Sequence, residues 1–226
     1  MGTGIERTWP NMMTREGVRG MEYNAWDEPS PPSHDVTLPF TRMLAGPLDY
    51  TPGIFDLTPE ETMPDHRVLT TLSKQLANMV ILYSPMQMAA DLVENYEGEA
   101  AVEFIERVPA DWSESRVLNA RIGESITIAR RTADGEEWYV GTTTNATART
   151  LSIPLNFLDD GQTYVAHVFE DTPTSDYKDA PHAYRIRRGL VTAGDTIEAD
   201  LARSGGQAVI LEPAEEEDEA EYGALE

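Results

Sequence analysis

From about Trp112 onward the chain alternates apolar and polar residues in short runs divided by turn residues, a pattern that suits strands with one buried face. "RVLNARIGESITIARRTADGEEWYVGTTTN" sets such runs on either side of Asp134-Gly135, a pair matched to the tight turn of a hairpin. "LSIPLNFLDDGQTYVAHVFED" repeats the design around Asp160-Gly161, and "AYRIRRGLV", "DTIEADL" and "QAVILEP" supply three more short runs. Strands this short and this closely spaced predict a small antiparallel β-sandwich over residues 111–213.

The first 110 residues read differently. "IERTWPNMM" is a short β-prone stretch that runs into "TREGVRGMEYNAW", where Glu16 and Glu22 bracket a Gly-Val-Arg-Gly turn. Asp35 is placed to cap a helix over "VTLPFTRMLAG", ended by Gly46, and "PLDYTPGIF" reads as a strand. From His66, the residues Leu69, Leu72, Leu76, Met79 and Tyr83 recur at helical steps. "MQMAADLVENY" and "EAAVEFIERV" read as two further helices. The chain thus has an α/β opening that looks unfinished and a β ending that looks complete.

Composition narrows the function. Seventeen basic against 40 acidic residues give a net charge of -23, which repels a nucleic-acid backbone. The basic side chains are almost all arginine, with lysine only at Lys74 and Lys178. An acid-rich, lysine-poor surface suits work in concentrated salt, where self-repulsion is screened. With no cysteine, disulfides, zinc-thiolate sites and thiol nucleophiles are excluded together. No apolar run is long enough for a membrane-spanning helix, and no secretory leader is visible at the start. The acidic run 214–226, with hardly any apolar content, is expected to be disordered.

"RTWPNMMTREGVRGMEYNAW" followed by "HDVTLPFTRMLAGPLDYTPGIF" resembles the C-terminal part of the catalytic barrel of glycoside hydrolase family 97. The two motifs cover about the first 55 residues, and the order of elements carries the resemblance to about residue 210. The family groups α-glucosidases and α-galactosidases, many of them dependent on calcium. The implied fold is α/β plus β: the last elements of a (β/α)8 TIM barrel with its final helices over 1–110, then the β-sandwich. A barrel cannot close on two strands, which accounts for the unfinished opening.

The resemblance also gives the two glutamates roles. In the family's calcium-dependent, inverting members the second glutamate of the E-G-V-x-G-x-E pattern is the general acid, here Glu22; the first, here Glu16, is a calcium ligand, and Glu22 is expected to approach the same ion. The implied partners are an α-linked oligosaccharide substrate, calcium and the missing N-terminal part of the same enzyme, which would carry the base or nucleophile. On this reading the chain alone is catalytically incomplete. The parent enzyme would be secreted or periplasmic, otherwise cytoplasmic, in a high-salt setting. The competing reading is a non-catalytic carbohydrate-binding or assembly module built on the sandwich.

Other polar and aromatic residues near the motif keep two readings. Arg19 could meet a substrate hydroxyl or simply pair with a carboxylate. His34 could face a pocket or cap a turn, and Asp49 could line a rim or order its own turn. Trp9, Tyr23 and Trp26 could stack on sugar faces, although packing is the ordinary role of such rings. Two further expectations concern folding: the sandwich should hold structure by itself, and the helices between His66 and Val108 should be partly exposed.

Overall fold

The computed structural model describes residues 4–59 and 66–225. The expected sandwich is present. Eight strands follow in order: β1 (Trp112–Arg121), β2 (Ser125–Thr132), β3 (Trp138–Thr144), β4 (Arg149–Pro154), β5 (Tyr164–Asp171), β6 (Tyr184–Val191), β7 (Thr196–Leu201) and β8 (Gly206–Pro213). Six form one antiparallel sheet in the order β1-β2-β3-β8-β5-β6, and β4 pairs with β7 as a second sheet. Asp134-Gly135 makes the β2–β3 hairpin, with Gly135 at φ 84, the left-handed region that glycine enters without strain. Asp160-Gly161 is not a hairpin turn, because β4 and β5 lie in different sheets. It carries the chain across the sandwich.

Alternation along the strands sorts side chains to the two faces of the large sheet. Trp138, Val140, Val168, Val209 and Leu211 face the small sheet and pack with Ile153, Ile197 and Leu201. Ile126, Ile128, Tyr139, Phe169 and Ile210 face the other way. Against that outer face lies helix α1 (Leu72–Ile81), with Leu72, Leu76, Ala77, Val80 and Ile81 buried. The opening covers α1 in turn, contributing Met21, Leu38, Leu48, Tyr50 and Phe55 to the same core.

Every residue of α1 is buried, Ser73, Lys74, Gln75 and Asn78 included. The expectation of partly exposed helices therefore fails for α1: its polar face meets protein rather than water. Gly141 of β3 and Gly206 of β8 allow the close approach. A Cβ on Gly141 would stand 2.5 Å from the Ala77 carbonyl oxygen, and one on Gly206 would stand 2.5 Å from the Lys74 Cα.

Helix ends leave backbone groups unpaired and carry partial charge, so a buried helix needs partners at both ends. The sheet supplies them. At the C-terminal end Arg130 Nε donates to the Val80 carbonyl at 2.6 Å, and Nη2 reaches that of Ile81 at 3.4 Å. Burial lowers the Arg130 pKa to about 10, still well above neutrality. At the N-terminal end the Thr71 hydroxyl accepts from the Lys74 amide, and the Asp171 carboxylate lies against the hydroxyls of Thr71 and Ser73.

The opening departs from its expected elements. The stretch expected as the strand "IERTWPNMM" begins with a 3-10 turn at Ile5–Arg7. The helix expected after Asp35 is two 3-10 turns, Leu38–Phe40 and Arg42–Ala45, broken at Thr41. Asp35 still accepts from the Val36 amide at 3.0 Å, but its carboxylate also holds Asn78 and Lys74. "PLDYTPGIF" is extended without a ladder; its groups pair singly, Leu48 with Tyr83, Asp49 with Arg15 and Tyr50 with Met21. Helix α2 shrinks to Val93–Tyr96, because Asp91 takes the amides of Phe55 and Asp56 at 2.7 and 2.8 Å. The third expected helix is α3 (Val102–Arg107).

The acidic run is ordered, contrary to expectation. Glu216–Glu221 form α4, started by a capping box between Glu215 and Asp218. Four acidic residues in the first turn complement the positive helix N-terminus. Beyond it Leu190 and Gly223, then Leu225 and Leu190, exchange backbone hydrogen bonds along β6. A Cβ on Gly189 would collide with Leu225. Among the described residues no helix is long and apolar enough to cross a membrane.

Candidate functional site

The motif "EGVRGME" forms a turn followed by a 3-10 segment, Met21–Ala25. Gly17 has φ 51, which glycine tolerates and most residues do not. Arg42, largely buried, holds the turn from beneath. Its guanidinium donates to four carbonyls: Glu16 at 3.2 Å, Arg15 at 2.8 Å, Gly46 at 3.0 Å and Pro47 at 2.9 Å. His34 Nε2 donates to the Arg19 carbonyl at 2.7 Å, so His34 is a brace for the turn.

The two sequence-predicted glutamates sit in unlike places. Glu16 is exposed. Glu22 is half-buried and lines a cleft of about 480 Å³ shared with Asn24, Trp26, Asp56, His66 and Asp91. Glu16 is not part of that cleft's lining. The Glu22 carboxyl folds back over Gly20, whose absent side chain provides the room: a Cβ there would stand 2.9 Å from Glu22 Cδ. The Thr51 hydroxyl donates to Glu22 Oε2. Behind it, Tyr50 is fully buried, and burial beside Asp35 and Glu22 holds its phenol pKa well above 10, so it stays neutral.

Arg19 pairs with neither glutamate. It bonds the Ser30 hydroxyl at 3.1 Å and Asp27 at 3.2 Å, and stacks over Tyr23. Asp49 bonds through its backbone to Arg15 and raises the Arg42 pKa against the lowering effect of burial. Trp9 and Trp26 are about 60% exposed, at 62% and 61%, so the ordinary packing role does not hold for them in this chain. Thr51 and Arg42 were not legible as site residues. Their side chains act across 29 and 26 positions of sequence, and nothing local marks them.

The donor chemistry of two carboxylates suits calcium, but the number does not. Calcium takes six to eight oxygens, and among the described residues no group of three or more acidic or histidine side chains is placed to hold a metal. Glu16 and Glu22 by themselves do not make such a site.

Comparison with known proteins places these features in a family. The model described as glycosyl-hydrolase 97 C-terminal, oligomerisation, matches residues 111–212. The chain is 34% identical over 215 residues to the retaining alpha-galactosidase of Bacteroides thetaiotaomicron, covering 91% of this chain and 31% of that protein. It is 34% identical over 208 residues to a probable retaining alpha-galactosidase of Streptomyces bingchenggensis, covering 92% and 29%. Among solved structures it matches a glycoside hydrolase family 97 enzyme from a Pseudoalteromonas strain in complex with panose. That match has a TM-score of 0.90 and 45% identity, over 94% of this chain and 33% of the other. The acarbose complex of a family 97 enzyme from the same source matches at 46% identity and the same TM-score. The chain thus spans about a third of the length of the relatives it matches. It belongs to glycoside hydrolase family 97 and corresponds to the C-terminal portion of that family's proteins.

Proposed function

We propose that this chain is the C-terminal portion of a glycosidase that hydrolyses α-glucosides or α-galactosides. The opening, residues 1–110, would supply the last elements and final helices of a (β/α)8 barrel; residues 111–213 are the sandwich that follows it. The carrying observation is that the likeness extends across the opening: 94% of the chain matches a family 97 enzyme at 45% identity. A shared sandwich alone would leave the opening unmatched, which disfavours the assembly-module reading.

Glycoside hydrolysis needs one carboxylic acid to protonate the leaving oxygen and a second carboxylate to act as base or nucleophile. Glu22 is the acid in this reading: it lines a cleft, and its carboxyl is held by a hydroxyl. The second carboxylate would come from the rest of the enzyme, as would the remaining oxygens of a calcium shell to which Glu16 and Glu22 contribute. Calcium, when bound, would supply charge stabilisation at the substrate. This chain's own residues hold the acid in place and shape one wall. The acidic, lysine-poor surface fits an enzyme working in a salt-rich medium.

The test is a chimera. This chain replaces the corresponding third of the Pseudoalteromonas enzyme, and turnover of aryl α-glucoside and aryl α-galactoside is measured. Activity is expected on one of them, with Glu22→Gln lowering kcat by roughly 10²-fold or more. The chain by itself is expected to be inactive. A folded chimera whose activity survives Glu22→Gln would refute the assignment.

A further inference from the structure

Thr51 is a backbone anomaly. Its φ is 59, and a β-branched residue in the left-handed region is strained, a condition that persists only where the surroundings over-determine it. The surroundings do so on both sides. The Tyr50 carbonyl accepts from the Met21 amide at 2.8 Å. The amides of Gly53 and Ile54 both donate to Gln75 Oε1 of the buried α1, at 3.0 and 3.2 Å, and the Pro52 carbonyl accepts from Ala90 at 3.1 Å. Glycine or asparagine would adopt this conformation at lower cost. The residue present instead carries a hydroxyl, and that hydroxyl lies within reach of two acceptors, Glu22 Oε2 and, at 2.6 Å, the Tyr50 carbonyl.

A second, independent feature meets the same carboxyl from the other side. Gly20 has φ -79 and ψ 179, an extended conformation open to any residue, so backbone freedom does not call for glycine there. Space does. A Cβ on Gly20 would stand 2.9 Å from both Cδ and Oε1 of Glu22.

We propose that Gly20 and Thr51 form a preorganised seat for the Glu22 carboxyl, with Thr51 acting as a positioning residue held in a strained conformation for that purpose. This deepens the reading of Glu22 as the acid. A proton donor must be held within a fraction of an ångström of the atom it serves, because small misplacement costs large factors in rate. The Met21 amide bonding to Tyr50 also ties the extended segment bearing Thr51 directly to the turn bearing Glu22. The seat is therefore anchored, through Gln75, to the helix packed on the sandwich.

The test reads the Glu22 side chain in the full 226-residue chain, by NMR three-bond couplings or by crystallography, in Thr51→Val, Thr51→Ser, Thr51→Gly and Gly20→Ala. Wild type and Thr51→Ser are expected to show one Glu22 rotamer; Thr51→Val and Gly20→Ala are expected to lose it. Thr51→Gly should also free Glu22, yet melt roughly 2–4 °C above Thr51→Val, because it lacks the same hydroxyl without the strain. A higher melting point than Thr51→Val with Glu22 still free separates the backbone strain from the hydroxyl contact, and loss of the Glu22 rotamer is the change a merely structural threonine would not give. If Thr51→Val fails to fold, Thr51→Ser against Thr51→Gly decides the matter by the same readout. A Glu22 that keeps a single rotamer in every folded variant overturns the proposal. That result would leave the acid assignment intact, since the chimera tests it separately; conversely, a Glu22 shown not to be the acid could still be found seated.

Discussion

At the scale of single residues the deepest feature is a buried charge cluster. Lys74 has no exposed side-chain surface, pairs with Asp35 at 2.9 Å and donates to the Thr144 carbonyl at 2.8 Å and the Pro32 carbonyl at 3.1 Å. One ammonium thus joins the opening, α1 and the sandwich. Burial lowers the Lys74 pKa, and Asp35 and Asp171 oppose that. Asp171 has the reverse problem. Desolvation raises its pKa to about 6 from 3.8, despite amide hydrogen bonds from Ala202 at 2.9 Å and Gly206 at 3.0 Å. A carboxyl whose folded pKa exceeds its unfolded value weakens the fold above about pH 6, and that penalty lifts as pH falls toward 4. Glu170 and Glu212, held low by Arg187 and His167 despite burial, act in the opposite sense. Comparison of wild type with Asp171→Asn isolates the one group. Between pH 8 and pH 3.5 the stability difference should move in favour of wild type by roughly 3 kcal/mol. Urea melts across that range measure it, and a pH-independent difference would count against a raised Asp171.

At the scale of elements, the packing of α1 depends on two glycines as well as on its apolar side chains. Gly141→Ala and Gly206→Ala each place a methyl against α1 backbone, and the helix ends are already fixed by Arg130 and by the Ser204 carbonyl that accepts from the Thr71 amide, so it cannot simply slide away. Each substitution is expected to cost about 1–3 kcal/mol by overpacking, seen as a lower urea midpoint with little change in m. The same helix shows what the sequence could tell. The strands were legible because alternation and Asp-Gly turns are local. The division into six and two strands was not, because β4 finds its partner β7 some 50 residues away, with Thr150 opposite Asp200. The burial of α1 was hidden because Lys74, Gln75 and Asn78 are residues that ordinarily face solvent, while their partners lie in Asp35, Thr70 and Thr144. The opening misled for a related reason: its backbone pairs one bond at a time with distant segments, which leaves no period to read. Of the candidate site, Glu16 and Glu22 stood out through a family motif, whereas Thr51 had no sequence signal of its own.

At the scale of the whole molecule two forces set behaviour, charge and the apolar faces of the large sheet. The net charge of -23 is self-repulsion, and salt screens it, with a Debye length near 10 Å at 0.1 M and about 3 Å at 1 M. Exposed pairs such as Arg116–Glu114 lose attraction on the same scale, but such pairs contribute little. The melting point should therefore rise between 0.05 and 1 M sodium chloride; a flat or falling value would mean that repulsion is not limiting.

The sheet faces decide what can fold alone. On the sequence the sandwich is self-sufficient, yet its large sheet buries apolar residues on both sides, and only one side is covered by β4 and β7. The other side, with Ile126, Ile128, Tyr139, Phe169 and Ile210, is covered by α1 and, behind it, by the opening. Arg130 would also lose the helix end it neutralises, leaving a cation on an apolar surface without the Val80 and Ile81 carbonyls. Removal of residues 1–109 would expose a contiguous apolar patch of the kind that drives association. The piece 110–226 is accordingly expected to self-associate in light scattering, or to melt far below the full chain, while the full chain unfolds in a single transition. A monomeric sandwich as stable as the full chain would show instead that the opening rides on a finished domain, and that Glu22 is held by an element able to detach from it.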